Sequence, residues 1–334
     1  MRTLGAMESD AGSRVLFLVE ATDDPLRHDG PNVIRDLSRS PKRISPVYVY
    51  DKTGTDLFER QCATEEYYLR RVEAGLLRSH AGEIVERCGP APIIELGAGT
   101  ADKTGILFDE YARRGLRCDY FPIDVDTQTL AEAAHRLASI HPHLVVHCLG
   151  TTYEDGLRRL PTRAVRRLLL FLGSSLGNME LEEMADLLAH LFHNSATGDY
   201  LLIGADLDKD AAIINKAYND AAGYGPRSTL NMLQHLNRRY DGDFVTDNFR
   251  YRSVYDRAAS RNEVHIESLV EQTVTLAGLG FAVSFGKGER IEAEIMWKFD
   301  PDRLAAILDR AGFAMTQRWI EPVLSYGLFL LRRK

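Results

Sequence analysis

Cysteine is scarce in this chain of 334 residues, which contains four. None of the four forms a CxxC pair, and their spacing matches no zinc-ligand pattern, so we expect neither a metal site nor a disulfide framework. Cys118 and Cys148 lie in or beside strand-like runs, where a buried reduced thiol is the expected state.

Long apolar runs are also missing. No segment reaches the roughly 18–20 apolar residues that a membrane-spanning helix needs. The apolar run at 15–19 is too short, and too acidic on its far side, for a secretory signal. We therefore predict a cytoplasmic protein that has no membrane partner.

The chain has no excess of positive charge, because 41 lysines and arginines stand against 48 aspartates and glutamates and leave a net charge of −7. Phosphate contacts need clustered lysine and arginine, so we expect no nucleic-acid partner. Internal repeats and low-complexity linkers are absent as well. The remaining composition, 45% apolar and 27% charged, is that of a globular chain with one large or two moderate domains.

Short apolar strands alternate with helical segments between about residues 73 and 208. The strands are predicted at 93–96, 120–124, 144–146, 168–172 and 200–204, and the helices at 73–87, 103–113, 127–137 and 181–192. This alternation is typical of a doubly wound α/β layer, with a parallel sheet covered on both faces. A helix at 301–311 and strands at 313–320 and 325–331 resume the pattern, and their hairpin implies one antiparallel strand.

The sequence pattern changes between residues 209 and 298. Helical segments that contain scattered aromatic residues come first, and strand-like runs follow at 264–274, 282–285 and 289–299. We therefore predict a core formed by residues 73–208 and 299–334. Residues 1–72 and 209–298 are expected to form a smaller α+β domain, with a ligand cleft between the two domains.

A glycine turn follows the first strand of the predicted core, with Gly97 and Gly99 leading into a helix. Such a turn lets the backbone approach a ligand at a helix N-terminus. A dinucleotide fingerprint needs a third glycine where Asp102 stands, which disfavours a nicotinamide cofactor. The sequence of an acidic residue, Leu, Gly, any residue and Gly is instead typical of S-adenosylmethionine enzymes.

Asp124 ends the second strand, where a carboxylate can accept both ribose hydroxyls of an adenosine. The alternative is structural: the two glycines make only a tight turn, and Asp124 caps the helix that begins at Thr127. The combination favours cofactor binding by Gly97, Gly99 and Asp124.

Further motifs resemble one family in their order and combination. They lie at 48–51, 54–58, 66–68, 95–104, 122–126, 171–178, 204–210 and 217–220. The set resembles the histidine-specific methyltransferases that make trimethylhistidine in ergothioneine biosynthesis, whose fungal relatives methylate tryptophan-derived amines. The resemblance covers about residues 45–334. It implies a class I methyltransferase core, with S-adenosylmethionine as cofactor, and a second domain that holds an amino acid.

The resemblance also assigns residues to the two ligands. On the cofactor side, Gly97 and Lys103 would line the site, Asp124 would hold the ribose, and Thr152 and Tyr153 would lie near the adenine, although the family's acidic residue there is missing or displaced. On the substrate side, the implied residues are Tyr50 near the reacting amine, Tyr67 at the side-chain pocket, Gly173 facing the amine, and Asn178 and Tyr218 on the amino-acid backbone.

The predicted side-chain pocket departs from the family. Glu294 matches the family's glutamate, but Met296 stands where the family has a serine, and Ile266 is the match for its methionine. Strand alternation places Glu294 and Met296 on one face and Trp297 on the other. A lost hydrogen-bond partner for imidazole costs roughly 1–3 kcal/mol. The change therefore disfavours histidine and favours another N–H side chain, such as indole or guanidinium.

The sequence thus predicts an S-adenosylmethionine-dependent N-methyltransferase of a free amino acid or a derived amine, with Tyr50 orienting the amine and no metal involved. Histidine, tryptophan and arginine remain open as substrates. Two alternatives from other classes are a nicotinamide-dependent oxidoreductase on the same fold and a non-catalytic cofactor-binding or partner-binding module.

Overall fold

The computed structural model describes residues 14–19, 24, 26–161 and 165–334. Within them the strands are β1 Val15–Val19, β2 Lys42–Arg43, β3 Ile93–Leu96, β4 Cys118–Asp124, β5 Leu144–Gly150, β6 Leu168–Phe171, β7 Tyr200–Asp206, β8 Phe249–Asp256, β9 Arg261–Ser268, β10 Gln272–Leu276, β11 Phe281–Phe285, β12 Arg290–Trp297, β13 Phe313–Glu321 and β14 Tyr326–Arg333. The α-helices are α1 Gly30–Ser38, α2 Lys52–Cys62, α3 Leu69–Cys88, α4 Gly105–Arg113, α5 Thr127–Ile140, α6 Tyr153–Arg159, α7 Leu181–Asn194, α8 Ala211–Tyr218, α9 Tyr224–Tyr240 and α10 Pro301–Arg310.

The large sheet has eight strands in the order β1-β5-β4-β3-β6-β7-β14-β13. All neighbours from β1 to β7 pair in parallel, while β14 is antiparallel to both β7 and β13. The predicted doubly wound α/β sheet with one antiparallel strand is therefore confirmed. The chain winds outward in opposite directions from β3 and β6, which creates a crevice at their carboxyl ends.

The central strands are buried along their whole length because helices cover both faces of the sheet. In β3 all four residues are buried. Ile93 packs into one apolar cluster, while Ile94 and Leu96 pack into another on the opposite face. This two-sided burial explains why the strand reads as a continuous apolar run instead of an alternation.

The smaller sheet has the order β2-β12-β9-β8, and β10 pairs with β11 in a separate hairpin. In the register between β12 and β9, Glu294 lies opposite Val264 and Met296 lies opposite Asn262. An irregularity between Glu292 and Glu294 shifts the pairing by one residue. Residues 294 and 296 consequently share a face with 262 and 264.

Several elements differ from the sequence prediction. The first core helix begins at Leu69, and α6 and β8 were not predicted. β1 pairs with β5 at the edge of the large sheet, so this segment lies with the core sheet although the predicted boundary assigns residues 1–72 to the smaller domain. The rest of that division stays a prediction. Among the described residues, no helix combines the length and the hydropathy required to cross a membrane.

Candidate active site

The glycine turn after β3 needs glycine for two different reasons. Gly97 and Gly99 have φ angles of +68° and +51°, a region that residues with a side chain rarely adopt. A Cβ atom at position 97 would also lie 2.8 Å from the Tyr153 hydroxyl oxygen, whereas position 99 faces open space. The turn therefore presents bare backbone beside the ring of Tyr153.

Asp124 ends β4, the strand next to β3, and its carboxylate faces this turn. It accepts the backbone N–H of Gly99 at 2.8 Å and that of Asp126 at 2.9 Å. Burial raises its pKa to about 6, although the backbone hydrogen bonds oppose the shift. Asp124 does not cap α5, because the side chain of Asp126 accepts from Thr129 N–H at 3.0 Å and caps that helix. The structural alternative for Asp124 is thus wrong in this respect.

The other predicted cofactor residues surround the same crevice. Lys103 forms an ion pair with Glu73, which is fully buried. Thr152 begins α6 as its N-cap, with its hydroxyl 3.5 Å from the Asp155 nitrogen. The ring of Tyr153 stands edge-to-face on Phe171 at 5.6 Å. A glycine turn, an aromatic ring and a partly buried carboxylate at adjacent strand ends fit an adenosine ligand.

Glu73 is a fully buried residue of the candidate site that the sequence prediction missed. Besides Lys103, it accepts the backbone N–H of Gly173 at 2.8 Å and the hydroxyl of Tyr326 at 2.7 Å. A Cβ atom at Gly204 would lie 1.7 Å from its Oε1 atom, so the space for this carboxylate depends on glycine there. A glutamate on the apolar face of a helix was the available signal, since buried charges need partners.

Four aromatic rings form a continuous edge-to-face row. Tyr50 meets Phe58 at 6.2 Å, Phe58 meets Tyr67 at 5.8 Å, and Tyr67 meets Tyr218 at 6.1 Å. The row brings together three predicted site residues and adds Phe58. Burial raises the pKa of Tyr50 well above its ordinary value, with further contributions from nearby Glu294, Tyr153 and Asp124. Tyr50 therefore stands between the cofactor crevice and the predicted side-chain pocket as a neutral phenol.

A buried polar network continues from Tyr218. Lys298 donates to the Tyr218 hydroxyl at 2.8 Å and pairs with Asp206 at 2.8 Å. The same Asp206 accepts from the Tyr68 hydroxyl at 2.7 Å and pairs with Lys209. Lys298 and Asp206 were not predicted as site residues, although a lysine two positions after Met296 continues the strand alternation.

The face of β12 that carries Glu294 and Met296 points toward α9. Thr229 of α9 donates its hydroxyl hydrogen to Glu294 at 3.0 Å. Burial raises the pKa of Glu294, and this hydrogen bond partly offsets the rise. The Met296 sulfur lies 3.9 Å from the Asn262 amide nitrogen. Thr229 is another residue of the candidate site that the sequence prediction missed.

Ile266, the third predicted pocket residue, lies on β9 and is not directly opposite Glu294 or Met296. It is fully buried and pairs with Ile291 and Tyr251, while Val264 is the residue across from Glu294. Trp297 lies on the other face, as predicted, and donates to the Met179 carbonyl at 3.0 Å.

Gly173 and Asn178 follow β6 at the crevice. Gly173 has a φ of +77°, and Asn178 ends the short 3-10 helix Ser175–Asn178. A Cβ atom at Gly177 would lie 3.1 Å from the Trp297 carbonyl oxygen, so this turn packs on the end of β12. Among the described residues, no group of three or more His, Cys, Asp or Glu side chains could hold a metal ion.

Comparison with known proteins gives a consistent result. A family described as histidine-specific methyltransferase, SAM-dependent, matches residues 28–333. A histidine N-alpha-methyltransferase of Mycolicibacterium smegmatis is 33% identical over 94% of this chain and 97% of its own length. One of Mycobacterium tuberculosis is 33% identical over 91% of this chain and 94% of its own. An L-tryptophan methyltransferase of Psilocybe serbica is 25% identical over 85% of this chain and 86% of its own.

Proposed function

The chain belongs to the family of histidine-specific, S-adenosylmethionine-dependent methyltransferases, and we propose that it methylates the α-amino group of a free amino acid whose side chain presents an N–H to Glu294. It is an amino-acid N-methyltransferase. The membership removes the nicotinamide oxidoreductase and the non-catalytic module from consideration. The substrate and the residue roles below are proposals.

The cofactor side is assigned to the part of the crevice that the carboxyl ends of β3 and β4 border. Gly97 and Gly99 present backbone, Asp124 accepts the ribose hydroxyls, and Tyr153 covers the base beside Thr152. When bound, S-adenosylmethionine supplies a methyl group activated by its sulfonium. Lys103 is also assigned to the cofactor site, where its pairing with Glu73 limits the net positive charge.

The reacting amine is assigned to the space between Tyr50 and Gly173. An α-ammonium must lose a proton before it can act as a nucleophile, and transfer from water into a buried site lowers its pKa. Tyr50 stays protonated because its own pKa is raised, so its role is to orient the amine by hydrogen bonding. Water takes up the released proton. Glu73 holds the Gly173 backbone in place from behind.

The amino-acid backbone is assigned to Asn178 and Tyr218, which stand at the end of the aromatic row and beside β12. An anchored backbone places the amine toward the cofactor crevice for every turnover. Proper placement of two reactants supplies a large part of catalysis in such displacements.

The side-chain pocket carries the proposal about the substrate. The partly buried Glu294 receives one hydrogen bond from Thr229, and an N–H from the substrate would satisfy it further. Met296 forms an apolar wall on the same face, where a second side-chain nitrogen would find no partner. A side chain with one N–H and a broad apolar surface, such as indole, meets both conditions.

Histidine is the second candidate, and the 33% identity to two histidine N-alpha-methyltransferases favours it. For imidazole, the Thr229 hydroxyl, which donates to Glu294, offers a further polar atom. The pocket distinguishes the two substrates through Met296, which costs imidazole a hydrogen bond and gives indole a contact surface.

The deciding experiment is a product-mass assay with the purified protein, S-adenosylmethionine and equimolar histidine, tryptophan and arginine. We expect N-methylated tryptophan as the main product. Exclusive methylation of histidine would overturn the substrate proposal and leave the family function in place, whereas no methylated amino acid would overturn the assignment of free amino acids.

Two further predictions remain proposals. A cytoplasmic location is supported by the free, buried state of Cys88, Cys118 and Cys148, since reduced thiols persist in reducing compartments. The division into a cofactor core and a substrate domain is supported by the separation of the eight-stranded sheet from the four-stranded sheet, with β1 assigned to the core.

A further inference from the structure

Lys298 follows directly after β12 and is buried, with 1% of its side chain exposed. Its ammonium group has two polar neighbours, the Tyr218 hydroxyl and the Asp206 carboxylate, each at 2.8 Å. Burying a lysine costs free energy unless its charge is paired, and these two partners offset that cost.

The hydrogen bond between Lys298 and Tyr218 has a fixed direction. An ammonium group has three donors and no acceptor, so the Tyr218 oxygen accepts and its own proton is directed elsewhere. In the part of the chain that the structure describes, the Tyr218 hydroxyl has no acceptor for that proton. Tyr218 is therefore prepared to donate a hydrogen bond to a ligand.

Asp206 keeps Lys298 in the charged form. This carboxylate is fully buried. Burial lowers the pKa of Lys298, but the charges and hydrogen bonds of Asp206 and Tyr218 together outweigh this effect, and the pKa is raised overall. The ammonium thus remains a donor across the ordinary pH range, and its charge lies one hydroxyl group away from the substrate space.

We propose that Lys298 is a positioning residue that sets the Tyr218 hydroxyl as a donor to the substrate's α-carboxylate, so that the enzyme selects amino acids over the corresponding decarboxylated amines. The inference rests on the proposed function, because it requires Tyr218 to contact the amino-acid backbone. A hydroxyl that accepts a hydrogen bond from a cation is a stronger donor and favours an anionic acceptor. The α-carboxylate of an amino acid is such an acceptor, and a decarboxylated amine has none.

Lys209 provides a matched control. It is also buried, with 4% of its side chain exposed, and it pairs with the same Asp206. Its second hydrogen bond goes to the Tyr68 hydroxyl at 2.7 Å and not to Tyr218. Lys209→Met and Lys298→Met therefore remove the same charge from the same carboxylate, and each leaves the other lysine in place.

The test compares Lys298→Met, Lys209→Met and Tyr218→Phe with the native enzyme. Binding of the preferred amino acid is measured by calorimetry, and kcat and KM are measured for that amino acid and its decarboxylated amine. We expect Lys298→Met to weaken amino-acid binding about tenfold or more, with a smaller change in kcat and little change for the amine. Lys209→Met should bind the amino acid like the native enzyme.

A double variant separates positioning from a general structural effect. If Lys298 acts through the hydroxyl, Lys298→Met should weaken binding no further in a Tyr218→Phe background. An equal loss in both backgrounds, or an equal loss for amino acid and amine, would overturn the inference. Lys298→Gln keeps a donor for the Tyr218 hydroxyl, loses the charge, and covers the case that Lys298→Met does not fold. It should show a smaller loss that is confined to the amino acid, and an equal loss for amino acid and amine would overturn the inference.

The Tyr218→Phe and Lys298 variants also distinguish an error in the proposed substrate site from an error in the positioning role of Lys298. Native amino-acid binding by Tyr218→Phe would remove Tyr218 from the substrate site. A loss in Tyr218→Phe combined with native behaviour of the Lys298 variants would remove only the positioning role.

Discussion

The backbone N–H of Gly173 donates to the carboxylate of Glu73 at 2.8 Å, across 100 positions of sequence. The same carboxylate pairs with Lys103 and accepts from Tyr326 at 2.7 Å. One buried anion thus connects a residue of the cofactor crevice with the backbone assigned to the amine. A change at Glu73 should consequently reach both ligands.

Glu73→Gln keeps the size of the side chain and removes its charge. We expect S-adenosylmethionine affinity and kcat each to fall by about tenfold, because Lys103 loses its counterion and Gly173 its strongest acceptor. Calorimetry and steady-state kinetics measure the two effects. Glu86→Gln, an exposed position of the same helix, is the control. Native values in a folded Glu73→Gln variant would contradict the linking role.

Asp124→Asn tests the ribose assignment through pH. The pKa of Asp124 lies at about 6, so its charge, and with it the strength of two proposed hydrogen bonds, is lost as the pH falls through that value. Native S-adenosylmethionine affinity should therefore decline between pH 7.5 and 5, while Asp124→Asn should bind at least tenfold more weakly at pH 7.5 and show a flatter profile. Calorimetry gives both profiles.

Asp109→Asn is a suitable reference for that experiment, because the side chain of Asp109 is 76% exposed. Parallel pH profiles for Asp124→Asn and the native protein would exclude Asp124 as the titrating group.

Asn178→Ala should impair amino-acid use far more than cofactor binding. Asn178 is proposed to hold the substrate backbone, and a missing anchor misplaces the amine relative to the crevice. We expect kcat/KM for the preferred amino acid to fall by at least tenfold, with S-adenosylmethionine affinity within twofold of native. Retention of native kcat/KM would show that Asn178 has another role.

Met296→Ser should raise activity on histidine relative to tryptophan by several-fold. The new hydroxyl offers imidazole a hydrogen bond worth about 0.5–1.5 kcal/mol net, and the loss of apolar volume penalises indole. Competition assays with both amino acids give the ratio directly. Ile295→Ser makes a similar polar change on the opposite face of β12 and should leave the ratio unchanged. A fall in activity on histidine relative to tryptophan would refute the interpretation that Met296 disfavours imidazole.

Glu95→Gln should change how stability depends on pH. Burial raises the pKa of Glu95 to about 7, so between about pH 4.5 and 7 the unfolded chain releases a proton that the folded chain retains. This group therefore lowers the free energy of unfolding as the pH rises through that window, by at most about 3 kcal/mol. The variant lacks this dependence. Urea unfolding at pH 5, 6, 7 and 8 should show its stability improving relative to native as the pH increases, and a constant difference would refute it.

The arrangement at the carboxyl ends of β3 and β4 could be predicted because its signals are local. A buried strand that runs into Gly97 and Gly99, and a carboxylate at the end of the next strand, can be identified from neighbouring residues alone. Parallel-sheet geometry then places the two strand ends side by side. The sequence order of strands and helices led to the correct sheet for the same reason.

The polar connections behind the site could not be predicted in this way. Glu73, Asp206 and Lys298 meet partners from distant segments, and nothing in helical or strand periodicity specifies which buried groups will pair. The pairing of β12 with β9 at the pocket could not be predicted either. The irregularity between Glu292 and Glu294 places Val264 opposite Glu294, whereas regular alternation gave no means of choosing between Val264 and Ile266.

The alternation along β12 has a consequence for how this enzyme could diversify. Positions 294 and 296 face the proposed side-chain pocket, and position 298 supports the residue proposed to hold the carboxylate. Mutations at positions 294 and 296 can change which amino-acid side chain the enzyme accepts, while the contact to the carboxylate that all amino acids share is retained. An ancestral strand of this design could give rise to a series of paralogues, each inheriting the same chemistry and differing in the side chain that it accepts.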